Sequence, residues 1–154
     1  MSAVAEVEPL LWPTGEPVDI ESIEGYTQDA RAAVHPLDDS SILTPDELVR
    51  QLAEVSRWAS RMTTVIKNAE AHKRLSAAEK DEARARAVLE VGEYPAREQS
   101  ARISLAIATE RRTYDAAVVA FEEARRVGNM LSDHSSRLQS MAKLVRLTYE
   151  QDAS

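Results

Sequence analysis

The sequence predicts an all-α protein: a long antiparallel helical hairpin of coiled-coil type, preceded by an extended acidic N-terminal arm. Three observations carry that expectation. Apolar residues recur in alternating steps of three and four along two stretches of roughly 50 residues each. Only 5% of the chain is aromatic, and Ala, Val and Leu carry most of its 44% apolar fraction, which suits a thin two-helix seam better than a rounded core. Five of the six prolines (Pro9, Pro13, Pro17, Pro36, Pro45) fall in the first 45 residues, where they disfavour regular helix.

The arm, residues 1–43, holds nine carboxylates against the single base Arg31, a net charge of −8, whereas residues 44–154 carry +1. Such asymmetry between segments is a hint of an interaction tail, the alternative being a tail that is merely solvated. Its composition predicts an extended or partly disordered segment. Leu11, Trp12, Ile20, Ile23 and Tyr26 interrupt the acid and are the candidates for docking the arm; Ile20, Ile23 and Tyr26 could share one side of a short helix.

The hairpin, residues 44–154, opens at Thr44-Pro45-Asp46-Glu47. Thr44 suits the N-cap, Pro45 the first turn, and Glu47 the return bond of a capping box. From there Leu48, Leu52, Val55, Ala59, Met62, Ile66 and Ala69 mark a seam that passes through polar Lys73, Ser76 and Lys80 and resumes at Ala83 and Ala87. Gly92 is the expected left-handed cap, with the turn near 92–95 and Pro95 opening the second helix. That helix keeps the rhythm at Ile103, Ile107, Glu110, Tyr114, Ala117, Phe121, Ala124, Gly128, Leu131, Ser135, Leu138, Ala142, Val145 and Tyr149. A hairpin folded about residues 93–94 would be roughly 70–75 Å long. It would set Ile66 near Phe121, Ala59 near Gly128 and Leu52 near Ser135.

Bulk gathers at the open end, where seam residue Met62 is joined by a second row beside the seam: Trp58, Val65, Val127, Met130, Met141, Leu144 and Leu147. A stripe wider than two positions in seven exceeds what one partner helix covers. The arm or another copy of the chain is expected to cover it, and these eight residues are the candidate protein interface.

Chemistry finds little purchase. Cysteine is absent, which removes disulfides, thiolate metal sites and a cysteine nucleophile. No phosphate-cradling glycine loop, nucleophile elbow, zinc-protease helix or calcium loop occurs. Asp133, His134, Ser135 and Ser136 supply triad residue types, but helical neighbours point about 100° apart and cannot converge. Glu70, His72, Lys73 and Arg74 read as a charged helix face. The expectation is a protein that is no enzyme, with no catalytic residue, cofactor, metal or small-molecule substrate. No run approaches a membrane span, and the acidic start is unlike a secretory signal. Nucleic acid is a lesser option: eleven bases face eight acids over residues 84–146. Arg111, Arg112, Arg125, Arg126, Arg137, Lys143 and Arg146 are the residues that would reach phosphates.

Four features recur together: Leu-Thr-Pro-Asp-Glu-Leu at 43–48; Ala-x-Leu-Glu at 87–90 with Gly92 behind it; Ala-Arg-Glu at 96–98; and Leu-x-Ser-Met-x-x-Leu at 138–144. With them, Thr44 to Tyr149 resembles the short two-helix coiled-coil accessory proteins encoded by bacteriophages, chiefly those of actinobacteria. The resemblance implies a viral protein from DNA-processing or assembly genes, located in the host cytoplasm or on the virion, and brings no catalytic residues. The function expected first is a structural or assembly factor working as a homo-oligomer or with another phage protein. The alternatives are a recombination accessory touching single-stranded DNA or a recombinase, and an inhibitor of a host enzyme acting through the acidic arm.

Overall fold

A computed structural model of the chain describes residues 8–34 and 44–153. Among these residues the structure is all-helical, with α1 (Ile20–Val34), α2 (Pro45–Glu90), α3 (Ala96–Ala106) and α4 (Ala108–Asp152). An isolated bridge between Leu11 and Pro17 is the sole strand-like pairing among the described residues. Glu6, His35, Pro36, Asp38, Asp39 and Leu43 lie outside the described residues. Contacts divide the chain into two units, the described parts of Met1–Ile23 with Lys67–Phe121 and of Glu24–Ile66 with Glu122–Ser154.

The arm expected to be extended is folded wherever it is described. Trp12 N–H donates to Glu16 O at 2.8 Å and Gly15 N–H to Trp12 O at 2.9 Å, closing a three-residue loop of Pro13, Thr14 and Gly15. Proline here presets a turn, and Gly15 takes the positive φ of 89° that ends it. Asp19 then caps α1. Its Oδ1 accepts from Ser22 N–H at 2.7 Å, while Ser22 Oγ accepts from Asp19 N–H at 3.0 Å. These bonds, led by the Ser22 backbone N–H, hold the Asp19 carboxyl below its ordinary range, with a smaller pull from nearby His72. Trp12 Nε1 donates to the same Ser22 hydroxyl at 2.9 Å and the indole is buried. Acidic composition therefore did not decide the arm's state; a turn, a cap and a buried ring did.

In α1 the buried positions are Ile23, Thr27, Ala30 and Val34, a three-four spacing that gives the helix one apolar face. Ile20 and Tyr26 are half-buried beside it. α2 begins as its sequence predicts: Thr44 Oγ1 accepts from Glu47 N–H at 3.3 Å and Leu48 N–H bonds Thr44 O at 3.0 Å. Leu48, Val55, Met62, Ala69, Ser76 and Ala83 are all buried at seven-residue steps. Leu52, Ala59, Ile66, Lys73 and Lys80 are half-buried between them.

In the unit containing Lys67–Phe121, the polar positions of that face have partners. The Lys73 ammonium lies 4.1 Å from the Phe121 ring centroid, and that of Lys80 lies 3.9 Å from the Tyr114 centroid. Each such contact contributes about 0.5–2 kcal/mol, more as water is excluded. Further along, Ala83, Ala87 and Ile107 form one apolar cluster with Ile103 packed against it. As residue numbers rise on α2 they fall on its neighbour, so the two run antiparallel here.

In the other unit, a methyl built on Gly128 would meet Ile66 Cδ1 at 2.7 Å, so the side chain of Ile66 occupies the notch that the glycine leaves. The buried bulk of this unit is Leu48, Val55, Met62, Val65, Val127, Leu131 and Leu138. Fully buried aliphatic side chains of this size contribute about 1.5–3 kcal/mol each.

Three expectations are corrected. Phe121 meets Lys73 rather than Ile66, and Gly128 meets Ile66 rather than Ala59. Both offsets are one heptad from the expected register. α3 itself has no fully buried residue, and its half-buried Ile103 joins the cluster of Ala83, Ala87 and Ile107. Secondly, the expected single second helix is interrupted at Ile107 (φ −103°, ψ 10°). The backbone bonds Ile107 N–H to Ile103 O at 3.1 Å and Arg111 N–H to Ile107 O at 2.9 Å bridge the break. Thirdly, Gly92 is not left-handed, since Gly15 is the one described glycine with positive φ. The chain leaves α2 through a right-handed turn closed by Tyr94 N–H to Val91 O at 3.0 Å, and Pro95 caps α3 by accepting from Glu98 N–H at 2.8 Å.

The two glycines therefore respond oppositely to Ala. Only Leu89 O, at 3.9 Å, approaches a Cβ at Gly92, so Gly92→Ala leaves stability unchanged or raises it by about 0.4–1 kcal/mol. Gly15→Ala forces a side chain into positive φ and costs about 1–2 kcal/mol locally. Urea denaturation of both variants checks this. A cycle on Ile66→Ala and Gly128→Leu tests the register. Gly128→Leu alone costs about 1–3 kcal/mol by overpacking, and most of that cost vanishes when Ile66 is already Ala; additive losses would place the two apart.

Candidate functional site

α4 carries the features that remain open for contact in the unit containing Glu122–Ser154. Beyond Leu138 none of its side chains is fully buried, Ala142 and Val145 being half-buried and the larger apolar groups exposed. Leu144 is 65%, Leu147 55% and Tyr149 63% exposed, and Met141 is partly so. Met141, Leu144 and Leu147 are three residues apart and hence neighbours on one side of the helix. Val49, near the start of α2, is also exposed in this unit. Charged residues interleave with this surface: Lys143 carries no ion pair among the described residues, while Arg146 Nε bonds Glu150 at 2.9 Å.

The candidate interface residues divide into three groups. Met62, Val65 and Val127 are buried within their own chain and are thereby withdrawn from any free surface. Trp58 is half-buried by its own helix: its Nε1 donates to Glu54 Oε1 at 3.0 Å, and the Arg61 guanidinium lies 4.9 Å from the ring centroid. Met130, Met141, Leu144 and Leu147 remain exposed. Of the candidate docking residues of the arm, Trp12 and Ile23 are buried, Ile20 and Tyr26 half-buried, and Leu11 exposed.

Between the end of α1 and the middle of α4 lies a half-open cleft of about 600 Å³. Arg31 and Val34 line it from α1; Arg126, Asn129, Met130, Asp133, His134 and Arg137 line it from α4. Glu123 at its edge takes ion pairs from both Arg31 and Arg126. His134 is only 9% exposed, and its Nε2 has no hydrogen-bond partner. The sequence offered one signal for this feature: buried Val127 and His134 stand one heptad apart beside the main seam, the row a third helix would cover. Arg31 and Val34 gave no separate signal.

The candidate basic residues divide between the two units. Arg111 and Arg112 belong to the unit of Lys67–Phe121, and Arg125, Arg126, Arg137, Lys143 and Arg146 to the other. At about 100° per residue, the latter five spread around half the circumference of α4. Around His134 the serines are locally engaged, Ser136 Oγ donating to Ser132 O at 3.1 Å. Glu70 pairs with Arg74 at 2.7 Å. Among the described residues no group of three metal-ligating side chains gathers, and no helix is long and apolar enough to cross a membrane. Comparison with protein-family models, curated proteins and solved structures finds no match.

The Trp58 anchor carries a pH signature. Glu54 is held below the ordinary carboxylate range chiefly by its bond to Arg57, and secondly by the Trp58 indole. A depressed folded value means that the charged contact is complete above the unfolded pKa of about 4.3 and is lost as pH falls through the lower folded value. In a carboxyl NMR titration Glu54 should ionise below the ordinary glutamate value of about 4.3, and Arg57→Gln should return it toward that value.

Proposed function

We propose that this chain is a non-enzymatic structural or assembly protein that works by protein–protein contact, with a second copy of itself as its first partner. In this reading α2 forms a long antiparallel coiled-coil hairpin with α3 and α4, and the far end of α4 is its adhesive part. One observation carries it: Met141, Leu144, Leu147 and Tyr149 stand exposed on a helix whose earlier turns bury the same kinds of side chain. Leaving large aliphatic groups in water is unfavourable by about 25 cal/mol per Å², and a contiguous row of them marks an interaction site more often than a scatter does. The likeness to phage-encoded two-helix accessory proteins supports the same class of function.

Light scattering across a concentration series tests the reading. The full chain should exceed its monomer mass of 17.1 kDa, with the mean mass rising with concentration. Leu144→Asp combined with Leu147→Asp should return it to monomer while leaving helicity and melting unchanged, since both side chains already face solvent. A chain that stays monomeric throughout, and is unaffected by the double substitution, would overturn self-association as the mode of action.

A further inference from the structure

We infer that the cleft between α1 and α4 is a binding site for a small organic anion, its charged head held by Arg137, Arg126 and His134 and its apolar body set against Val34 and Met130. The inference stands apart from the self-association of the α4 end.

Four observations lead to it. The cleft, at about 600 Å³, falls in the size range of metabolite sites, roughly 300–1,000 Å³. Arg31, Arg126 and Arg137 all line it, against the single lining carboxylate of Asp133. Arg31 and Arg126 are partly neutralised by Glu123, but Arg137 makes no ion pair among the described residues. Its planar fork is suited to two oxygens of one phosphate or carboxylate. The fourth observation is His134, nine-tenths buried, whose Nε2 has no hydrogen-bond partner among the described residues. A buried unsatisfied nitrogen is costly, and an oxygen-rich head group in the cleft supplies what it lacks.

Asp133 limits the ligand. A head group whose anionic oxygens face Arg126 and Arg137, with an adjacent hydroxyl that donates to Asp133 or an apolar group on that side, is accommodated. Val34 and Met130 offer no polar atom, so the part of the ligand that faces them is apolar. Phosphate monoesters and carboxylates share this chemistry, and the test separates them.

The full chain, labelled so that the imidazole resonances are visible by NMR, is titrated with phenyl phosphate, with phenylacetate and, as neutral control, with benzyl alcohol. The expected result is a saturable shift of the His134 ring with at least one anion and none with the alcohol. Response to phenyl phosphate alone identifies a phosphate site, and response to phenylacetate alone a carboxylate site. Arg137 is exposed, so Arg137→Gln should fold normally and weaken the affinity about tenfold or more, as loss of a charged hydrogen bond does. Lys143→Gln, outside the cleft, should leave it unchanged. No saturable shift with either anion, or equal affinity in the Arg137 and Lys143 variants, would overturn the assignment. The readout is ring occupancy at His134, so its failure leaves the mass measurements of self-association untouched.

Discussion

Lys73 and Lys80 stand seven residues apart on α2, and Tyr114 and Phe121 stand seven apart on the facing helix, so both ammoniums find rings at a single offset. A slip of one heptad toward the turn leaves Lys80 against Ile107; a slip the other way brings Lys73 to the level of Gly128. Either loses one stacked pair and forces an ammonium against a group that cannot solvate it. Aliphatic seams are tolerant of sliding because Ala on Ala is much like Ala on Ser. The lysine–aromatic layers remove that tolerance, and the remaining burial pattern within the unit follows from them.

The same chemistry explains what could and could not be read from the sequence. Thr44, Leu48 and the seven-residue series to Ala83 were legible because capping and periodicity are local properties. The offset of one helix against the other was not, since a shift of seven residues keeps every seam residue on the same face. Lys73 and Lys80 looked like interruptions because their partners are distant in sequence. Gly92 misled for the opposite reason: glycine permits a left-handed cap without requiring it, and the turn closed by Tyr94 and Val91 is right-handed. In the arm, charge and proline content suggested an open chain, yet Pro13 sits where a turn wants proline, and Asp19 with Ser22 makes a reciprocal cap.

The candidate contact residues separated for physical reasons as well. Met62, in the seam, and Val65 and Val127, beside it, were grouped with Leu144 and Leu147, but burial of the first three leaves Met130 and the α4 end as the open part of the set. The cleft was missed because its charged wall comes partly from α1, and no pattern within α4 announces Arg31. His134 looked like a polar fault in a helix. In the folded chain it is enclosed beside arginines, where an imidazole nitrogen with nothing to bond becomes a feature with chemical meaning.

α3 stands apart from all of this. Its eleven residues fully bury no side chain, and half-buried Ile103, near its end, packs against the cluster of Ala83, Ala87 and Ile107. Backbone breaks or extra residues tolerated anywhere in a protein are tolerated where little is packed behind them. The segment is thus the natural seam for engineering: a foreign epitope or a reporter domain spliced between Ala96 and Ala101, ahead of Ile103, would be carried clear of the lysine–ring layers.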